Sequence, residues 1–260
     1  SSGLVGSEMC IRDSNKAAQE KKTWDSYVAK ESGPTNQELP SYAHAVGAVY
    51  RNADPSDIVV TAAGGLVGEV VQIWKPKQLN TFETEWGFSC MGYEISGALG
   101  IKMAKPDQDV IVFVGDGSYL LQNSDIYSSV IYNKKLIIVV CDNGGHMVIN
   151  RLQLAKGGKE YLCNLRSARA SNVQFVDFEA HAKSMGANGE TVKSTSELEA
   201  AFKRAKESEK TYVISMLTHG YEWLEGSAFW ESPTLEVHST DGNKKACLLY
   251  TSPSPRDLMR

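Results

Sequence analysis

The chain has 260 residues, of which 42% are hydrophobic and 22% are charged, and its formal net charge is −4. This is the composition of a globular protein with one sizeable core, and the weak negative charge excludes the basic surface that nucleic-acid-binding proteins usually present. No apolar run approaches the roughly 18 residues that cross a bilayer, so no membrane partner is expected. The five cysteines form no Cys-x-x-Cys pair, which indicates neither a disulfide framework nor a zinc site and favours a cytoplasmic location.

The two ends of the chain differ from its middle. The stretches SSGLVGSEMCIRDS at the start and LLYTSPSPRDLMR at the end have neither helical nor strand periodicity. Both are similar to translated adapter sequence of the kind that becomes attached to open reading frames. We therefore expect residues 1–14 and 246–260 to be non-native tails, with natural flexible tails as the alternative, and residues 15–245 to form one domain.

Short apolar runs alternate with segments of helical periodicity along this domain. Residues 58–62 predict a first strand, and residues 93–105 predict a helix that Pro106 ends. Further strands are predicted at 110–114, 136–140 and 212–216, and further helices at 124–132, 178–185 and 197–206. Five-residue strands separated by helices are typical of the α/β class, with a parallel sheet and helices on both of its faces.

Three predicted strand ends carry glycines together with polar residues. They are TAAGGLVG at 61–68, GDGS at 115–118 and CDNGGH at 141–146. In an open α/β sheet, ligands bind at the carboxyl ends of the strands, so we expect all three stretches to border one crevice. Glycine turns that lead into a helix suit a phosphate group, because their backbone amides can approach the ligand closely.

Asp116 lies between two glycines at the end of a predicted strand, where its carboxylate would repel a phosphate. A divalent cation between the two anions removes this conflict, because Mg2+ takes few protein oxygens and completes its shell with phosphate and water. Asp116, the side chain of Asn143 and a carbonyl of the Gly144-Gly145 turn would supply three oxygens. Taken alone, Gly-Asp-Gly is more often a plain turn with a capping aspartate, and Asn-Gly is a common turn pair.

The stretch GDGSYLLQNSDIYSSVIYNKKLIIVVCDNGG resembles the fingerprint of thiamine-diphosphate enzymes, in which Gly-Asp-Gly is followed further along by Asn-Asn. The resemblance implies that Asp116 and Asn143 bind Mg2+ through their side chains and that Gly145 binds it through its carbonyl. Asp142 departs from the pattern, because it replaces the first asparagine of the pair. The metal-binding asparagine of the family corresponds to the second position, which is present here as Asn143.

The stretch GFSCMGYEISGALGIKMA, at residues 87–104, resembles the segment with which this family holds the aminopyrimidine ring of thiamine diphosphate. The resemblance implies that Met91 bends the cofactor as a wedge, and that the Met91 amide and the Ser89 carbonyl bind the ring. Without the fingerprint, a core position would be the default interpretation of this methionine. The implied contacts to the diphosphate come from Gly117 and Ser118, with Gly64, Gly65 and Leu66 on its far side.

Within the family, EWGFSCMGYE, AAGGLVGEVVQIWKP and GYEWLEGSAFWE resemble most closely the hydrolases of inositol catabolism. The implied reaction cleaves a carbon-carbon bond of trihydroxycyclohexane-1,2-dione to give 5-deoxyglucuronate, with thiamine diphosphate and Mg2+ as cofactors. The loop GGHMVINRLQ, which would face the substrate, departs from the family's pattern. The alternatives are an acetolactate synthase-like carboligase or decarboxylase and a non-catalytic nucleotide-binding module, although the latter's GxGxxG spacing is absent.

The resemblance also implies partners. In this family an activating glutamate comes from a pyrimidine-binding domain across a subunit interface, which implies a homodimer or a tetramer. We recognise no such domain in the sequence, so we expect a fragment of an enzyme that is inactive alone. Glu83, Glu85 and Glu94 lie next to the pyrimidine segment and are interpreted as structural, because the activating glutamate approaches from the opposite side. His146 is a candidate proton relay to the small-molecule substrate, with a plain polar loop residue as the alternative.

Overall fold

The computed structural model describes residues 5–165, 175–226 and 241–245. The strands within these residues are β1 Ile58–Thr61, β2 Phe82–Thr84, β3 Val110–Gly115, β4 Ile137–Asp142, β5 Asn188–Val192 and β6 Tyr212–Leu217. They form one sheet in the order β2-β1-β3-β4-β6-β5, and every pair of neighbours is parallel. The predicted α/β fold with a parallel sheet is confirmed.

Helices cover both faces of this sheet. One face packs against α2 Tyr42–Asn52, α3 Leu66–Ile73 and α9 Thr195–Glu207, and the other packs against α4 Tyr93–Ala104, α6 Ser124–Ile131 and α8 Phe178–Ser184. Successive strand side chains point to opposite faces, so Ile111 of β3 joins the first core and Val112 joins the second. The central strands are therefore buried on both faces, which explains their continuous apolar sequences.

The remaining described helices are α1 Val5–Glu31, α5 Asp116–Leu121 and α7 Met147–Ala155. α1 begins at Val5, within the stretch predicted to be a non-native tail. Residues 14–23 of α1 are exposed, so this part of the helix carries no apolar stripe from which periodicity could be recognised. The non-native origin of 1–14 and 246–260 stays a prediction, and 246–260 lie outside the described residues. None of the described helices combines the length and apolar character that a bilayer span requires.

The predicted strands and helices lie close to their predicted positions, but hydrophobic periodicity did not predict several other elements. In α2, residues 42–49 are all buried, so the helix has no polar face to create a helical period in that stretch. The edge strand β5 has the sequence NGETV and is mostly half-buried or exposed, so it lacks apolar alternation. Hydrophobic periodicity reveals helices and strands that have one buried face and one exposed face. Neither α2 nor β5 has this arrangement.

Candidate cofactor site

The carboxyl ends of β1, β3 and β4 meet at a cavity of about 360 Å³. β3 lies between β1 and β4, and its last residue, Gly115, pairs with Cys141. The residues predicted from the sequence that line this cavity are Gly64, Gly65, Leu66, Ser89, Met91, Asp116, Gly117, Ser118, Asn143, Gly145 and His146. The three strand ends thus border one crevice, as expected, while the role of each residue stays a prediction.

The Gly-Asp-Gly sequence is the junction between a strand and a helix. β3 ends at Gly115 with extended backbone, and α5 begins at Asp116. The backbone amides of Gly117 and Gly145, the latter in the loop after β4, lie near the Asp116 carboxylate and oppose the rise in its pKa that burial causes. A Cβ atom at residue 117 would lie only 2.9 Å from the His146 ring. A side chain at residue 117 would therefore require the exposed His146 ring to move aside.

Two buried carboxylates lie side by side at this junction. Asp116 is 5% exposed and Asp142 is 7% exposed. Burial, and next the charge of Asp142, raise the pKa of Asp116 from 3.8 to about 7. Burial also raises the pKa of Asp142, although the Gly144 amide donates a hydrogen bond to its Oδ1 atom at 2.9 Å. Among the described residues no lysine or arginine offsets these charges, so a bound cation would be strongly stabilised here.

Asn143 supplies a further observation that fits a metal ion. Its Oδ1 atom is buried and has no hydrogen-bond partner among the described residues, although it lines the same cavity as Asp116. Buried polar atoms are nearly always paired, so an orphaned one indicates an unseen ligand. A carboxylate, an amide oxygen and a backbone carbonyl form the set of hard oxygen donors that Mg2+ prefers. The residues present therefore fit the predicted cation.

The loop after β4 is held in an unusual conformation. Gly144 and Gly145 have φ angles of +79° and +141°, which side-chain-bearing residues rarely adopt. The Leu165 amide donates to the Gly144 carbonyl at 2.9 Å, and the His146 amide donates to the Cys163 carbonyl at 2.7 Å. These two hydrogen bonds hold the loop in place. The Gly144 carbonyl accepts one of them, whereas the carbonyl predicted to bind the cation is that of Gly145.

The segment of residues 85–92 forms another wall of the cavity. The Glu85 carboxylate accepts hydrogen bonds from the Phe88 amide at 3.0 Å and from the Cys90 amide at 2.8 Å. Between them Ser89 has a φ of +52°. The Met91 side chain reaches towards Gly117, because a Cβ atom built there would lie 3.2 Å from the Met91 Cε atom. Its role as a wedge stays a prediction, and Glu85 has the structural role expected of it.

Glu94 links two walls of the cavity, a function that the sequence pattern did not reveal. Its fully buried carboxylate accepts hydrogen bonds from the Ala63 amide at 3.2 Å and the Gly92 amide at 2.8 Å. It thereby ties the end of β1 to the segment 85–92. Ser118 lies near this carboxylate and works against the rise in the pKa of Glu94 that burial causes.

We expect Glu94→Leu to lower the free energy of unfolding by about 2 kcal/mol or more, because it leaves the Ala63 and Gly92 amides without an acceptor. Glu94→Gln keeps one acceptor oxygen and should lose less. Urea denaturation measures both variants, with Glu83→Leu on the exposed side of β2 as the control. A loss for Glu94→Leu no larger than that for Glu83→Leu would contradict the bridging role of Glu94.

The structure is an α/β domain with a cavity lined by glycines and by the buried Asp116 at the carboxyl ends of its strands. The sequence model described as "Thiamine pyrophosphate enzyme, C-terminal TPP binding domain" matches residues 62–216. The chain belongs to this family of thiamine pyrophosphate enzymes. The predicted family and its thiamine diphosphate cofactor are thereby confirmed.

Curated relatives share one name, 3D-(3,5/4)-trihydroxycyclohexane-1,2-dione hydrolase. The protein of Halalkalibacterium halodurans is 36% identical over 199 residues, which cover 74% of this chain and 30% of the relative. That of Listeria monocytogenes is 38% identical, with coverage of 74% and 30%, and that of Bacillus subtilis is 33% identical, with coverage of 81% and 33%. The predicted similarity to inositol-catabolism hydrolases is confirmed, and the chain spans about a third of the length of these relatives.

A solved structure also resembles this chain. The thiamine diphosphate-dependent 4-hydroxybenzoylformate decarboxylase of Rhodococcus jostii superposes with a TM-score of 0.63, covering 71% of this chain and 34% of that chain. The sequence identity is 19%, so this likeness shows the fold alone.

Proposed function

We propose that this chain is the diphosphate- and Mg2+-binding part of an enzyme that hydrolyses a carbon-carbon bond of trihydroxycyclohexane-1,2-dione to give 5-deoxyglucuronate in inositol catabolism. The observation that carries the cofactor part is the unpaired, buried Oδ1 atom of Asn143, a residue that lines the same cavity as Asp116. The substrate is proposed from the relatives, which share the hydrolase name and match most of this chain.

In this proposal the cation is held by the Asp116 carboxylate, the Asn143 Oδ1 atom and the Gly145 carbonyl. The cation lets an anionic diphosphate lie beside buried carboxylates that would otherwise repel it. The backbone amides of Gly117 and Ser118 bind the diphosphate. Its far side is closed by Gly64, Gly65 and Leu66, which line the opposite wall of the cavity.

When bound, thiamine diphosphate supplies an electron sink that allows a bond to a carbonyl carbon to break. The protein's task is to orient the reacting groups and to move protons. Met91 bends the cofactor, and the Met91 amide and Ser89 carbonyl hold its pyrimidine ring. His146, whose ring lies against Gly117, is the proposed proton relay between the cavity and the substrate.

The proposal includes partners that complete the site. An activating glutamate comes from a pyrimidine-binding domain, either in a longer form of this chain or in a neighbouring subunit, and the assembly is a homodimer or tetramer. The enzyme acts on a small molecule in the cytoplasm, and this chain alone is inactive.

Calorimetric titration of thiamine diphosphate into the 260-residue chain tests the cofactor part. We expect binding with Mg2+ that disappears when EDTA removes the metal, and no binding of NAD. Binding of NAD without any metal requirement would instead support the nucleotide-binding module.

A chimera tests the substrate. In the Bacillus subtilis relative, the segment aligned with residues 38–237 is replaced by the same segment of this chain, and ring opening of trihydroxycyclohexane-1,2-dione is followed. Retained ring opening supports the proposal. A chimera that binds cofactor and instead forms acetolactate from pyruvate would contradict the hydrolase assignment in favour of the carboligase.

A further inference from the structure

Tyr42, the first residue of α2, reaches the cavity from the first helical layer. It is only 4% exposed, yet it lines the cavity together with Asp116 and Gly145. Its ring makes an edge-to-face contact with Trp223, with centroids 5.5 Å apart. Trp223 is itself fixed, because it packs so closely on Gly65 that a Cβ atom there would lie 2.0 Å from its ring. The Tyr42 ring is therefore held in one position.

The Tyr42 hydroxyl forms no hydrogen bond with any residue that the structure describes. It lies at the end of β3, where a Cβ atom on Gly115 would be 3.7 Å away. This hydroxyl is accessible from the cavity, although the rest of the side chain is buried. Tyr119 shows the usual arrangement in this protein, because its hydroxyl is 2.9 Å from the Nδ1 atom of His181. The unpartnered hydroxyl of Tyr42 is thus left for a ligand in the cavity.

The groups around the Tyr42 hydroxyl indicate which kind of ligand atom it binds. A tyrosine hydroxyl is protonated at neutral pH, so Tyr42 can donate a hydrogen bond. The ligand atom must be an acceptor near Asp116 that tolerates this acidic environment, and a phosphate oxygen neutralised by the adjacent cation meets both conditions.

We propose that Tyr42 is a further cofactor-binding residue, whose hydroxyl donates a hydrogen bond to an oxygen of the diphosphate. This inference rests on the proposed function of the cavity. It assigns α2 a direct part in the site, although α2 belongs to none of the three strand ends that the sequence singled out. Tyr42 binds and orients the cofactor and takes no part in the bond-breaking step.

Tyr42→Phe in the 260-residue chain tests the inference by calorimetry with thiamine diphosphate and Mg2+. We expect the dissociation constant to rise about tenfold, the effect of one lost hydrogen bond to a charged group. The dissociation constant for thiamine, which carries no phosphate, should stay unchanged. The melting temperature of the ligand-free protein should not fall, because the hydroxyl has no partner to lose. Tyr119→Phe is the matched control, and we expect it to lower that melting temperature without changing cofactor affinity.

The possible results distinguish the role of Tyr42 from the cofactor-binding function of the cavity, on which it rests. If neither the wild-type chain nor the chimera with the Bacillus subtilis relative binds thiamine diphosphate, both are overturned. If the wild type binds and Tyr42→Phe binds equally well, only the role of Tyr42 is overturned. The same conclusion follows if thiamine loses affinity by the same factor, or if Tyr42→Phe lowers the melting temperature of the ligand-free protein as much as Tyr119→Phe does.

Discussion

Asp116→Asn is expected to weaken Mg2+-dependent binding of thiamine diphosphate by about 100-fold or more, and at the same time to stabilise the ligand-free protein. The loss of affinity follows because the substitution removes the negative charge that attracts the cation. The gain in stability follows because Asp116 is buried beside Asp142, and both burial and this neighbour oppose its ionisation. An asparagine amide can donate a hydrogen bond to Asp142 where the carboxylate repels it.

The pH dependence of the stability gain has a definite sign. Asp116 has a pKa of about 7 in the folded protein, against 3.8 as its ordinary value. Between these two values the folded state binds the proton more tightly, so the stability of the ligand-free wild type falls as the pH rises from about 4 to about 7. Asp116→Asn removes this decline. The free energy of unfolding of the variant should therefore exceed that of the wild type most above pH 7, by about 1–3 kcal/mol.

Urea denaturation in EDTA across this pH range measures the stability, and titration with Mg2+ and thiamine diphosphate measures the affinity. Asp107→Asn removes one carboxylate at an exposed position and is the charge-matched control, expected to change neither quantity. An Asp116→Asn variant that keeps wild-type affinity would show that the cation binds elsewhere.

Gly145→Ala is expected to lower both the stability of the protein and its affinity for the cofactor. The residue has a φ of +141°, and its new Cβ atom would lie 2.2 Å from the Cys163 carbonyl oxygen. The loop must shift to relieve this clash, and it loses its contact with residues 163–165. We expect the free energy of unfolding to fall by about 1–3 kcal/mol and cofactor affinity to fall by about 10–100-fold, because the Gly145 carbonyl and the neighbouring Asn143 move together.

Gly144→Ala is the matched control for this variant. Gly144 also has a positive φ, of +79°, but a Cβ atom there would come no closer than 4.0 Å to its nearest neighbour, the Phe175 ring. It should therefore cost only the backbone strain, about 1 kcal/mol, and retain most of the affinity. Denaturation and calorimetry on both variants compare them directly. Equal losses for the two glycines would contradict the role of the clash and of the Gly145 carbonyl.

The sequence was sufficient for the fold class and for the position of the cavity, because both depend on local patterns. The apolar runs around Val112 and Val139 are strands buried on two faces, and the glycines after them lie at the same edge of a parallel sheet. Since parallel strands present their carboxyl ends together, the convergence of Asp116 and Asn143 could be predicted from chain order alone.

Contacts between distant parts of the chain could not be predicted in this way. Tyr42 enters the cavity because α2 packs on β3 and Trp223 fixes its ring, and no spacing in the sequence records that approach. The same holds for Glu94, because its hydrogen-bond partner Ala63 lies 31 residues earlier in the chain. A signal was present for Glu94: a carboxylate inside an otherwise apolar helix start is rarely left buried without donors.

A crystal structure of the chain with thiamine diphosphate and Mn2+ in place of Mg2+ would locate the cation and the diphosphate directly. We expect one anomalous manganese peak in contact with the Asp116 carboxylate, the Asn143 Oδ1 atom and the Gly145 carbonyl, with the diphosphate beside Gly117. A manganese ion bound away from Asp116 and Asn143, or a cofactor bound outside this cavity, would contradict it.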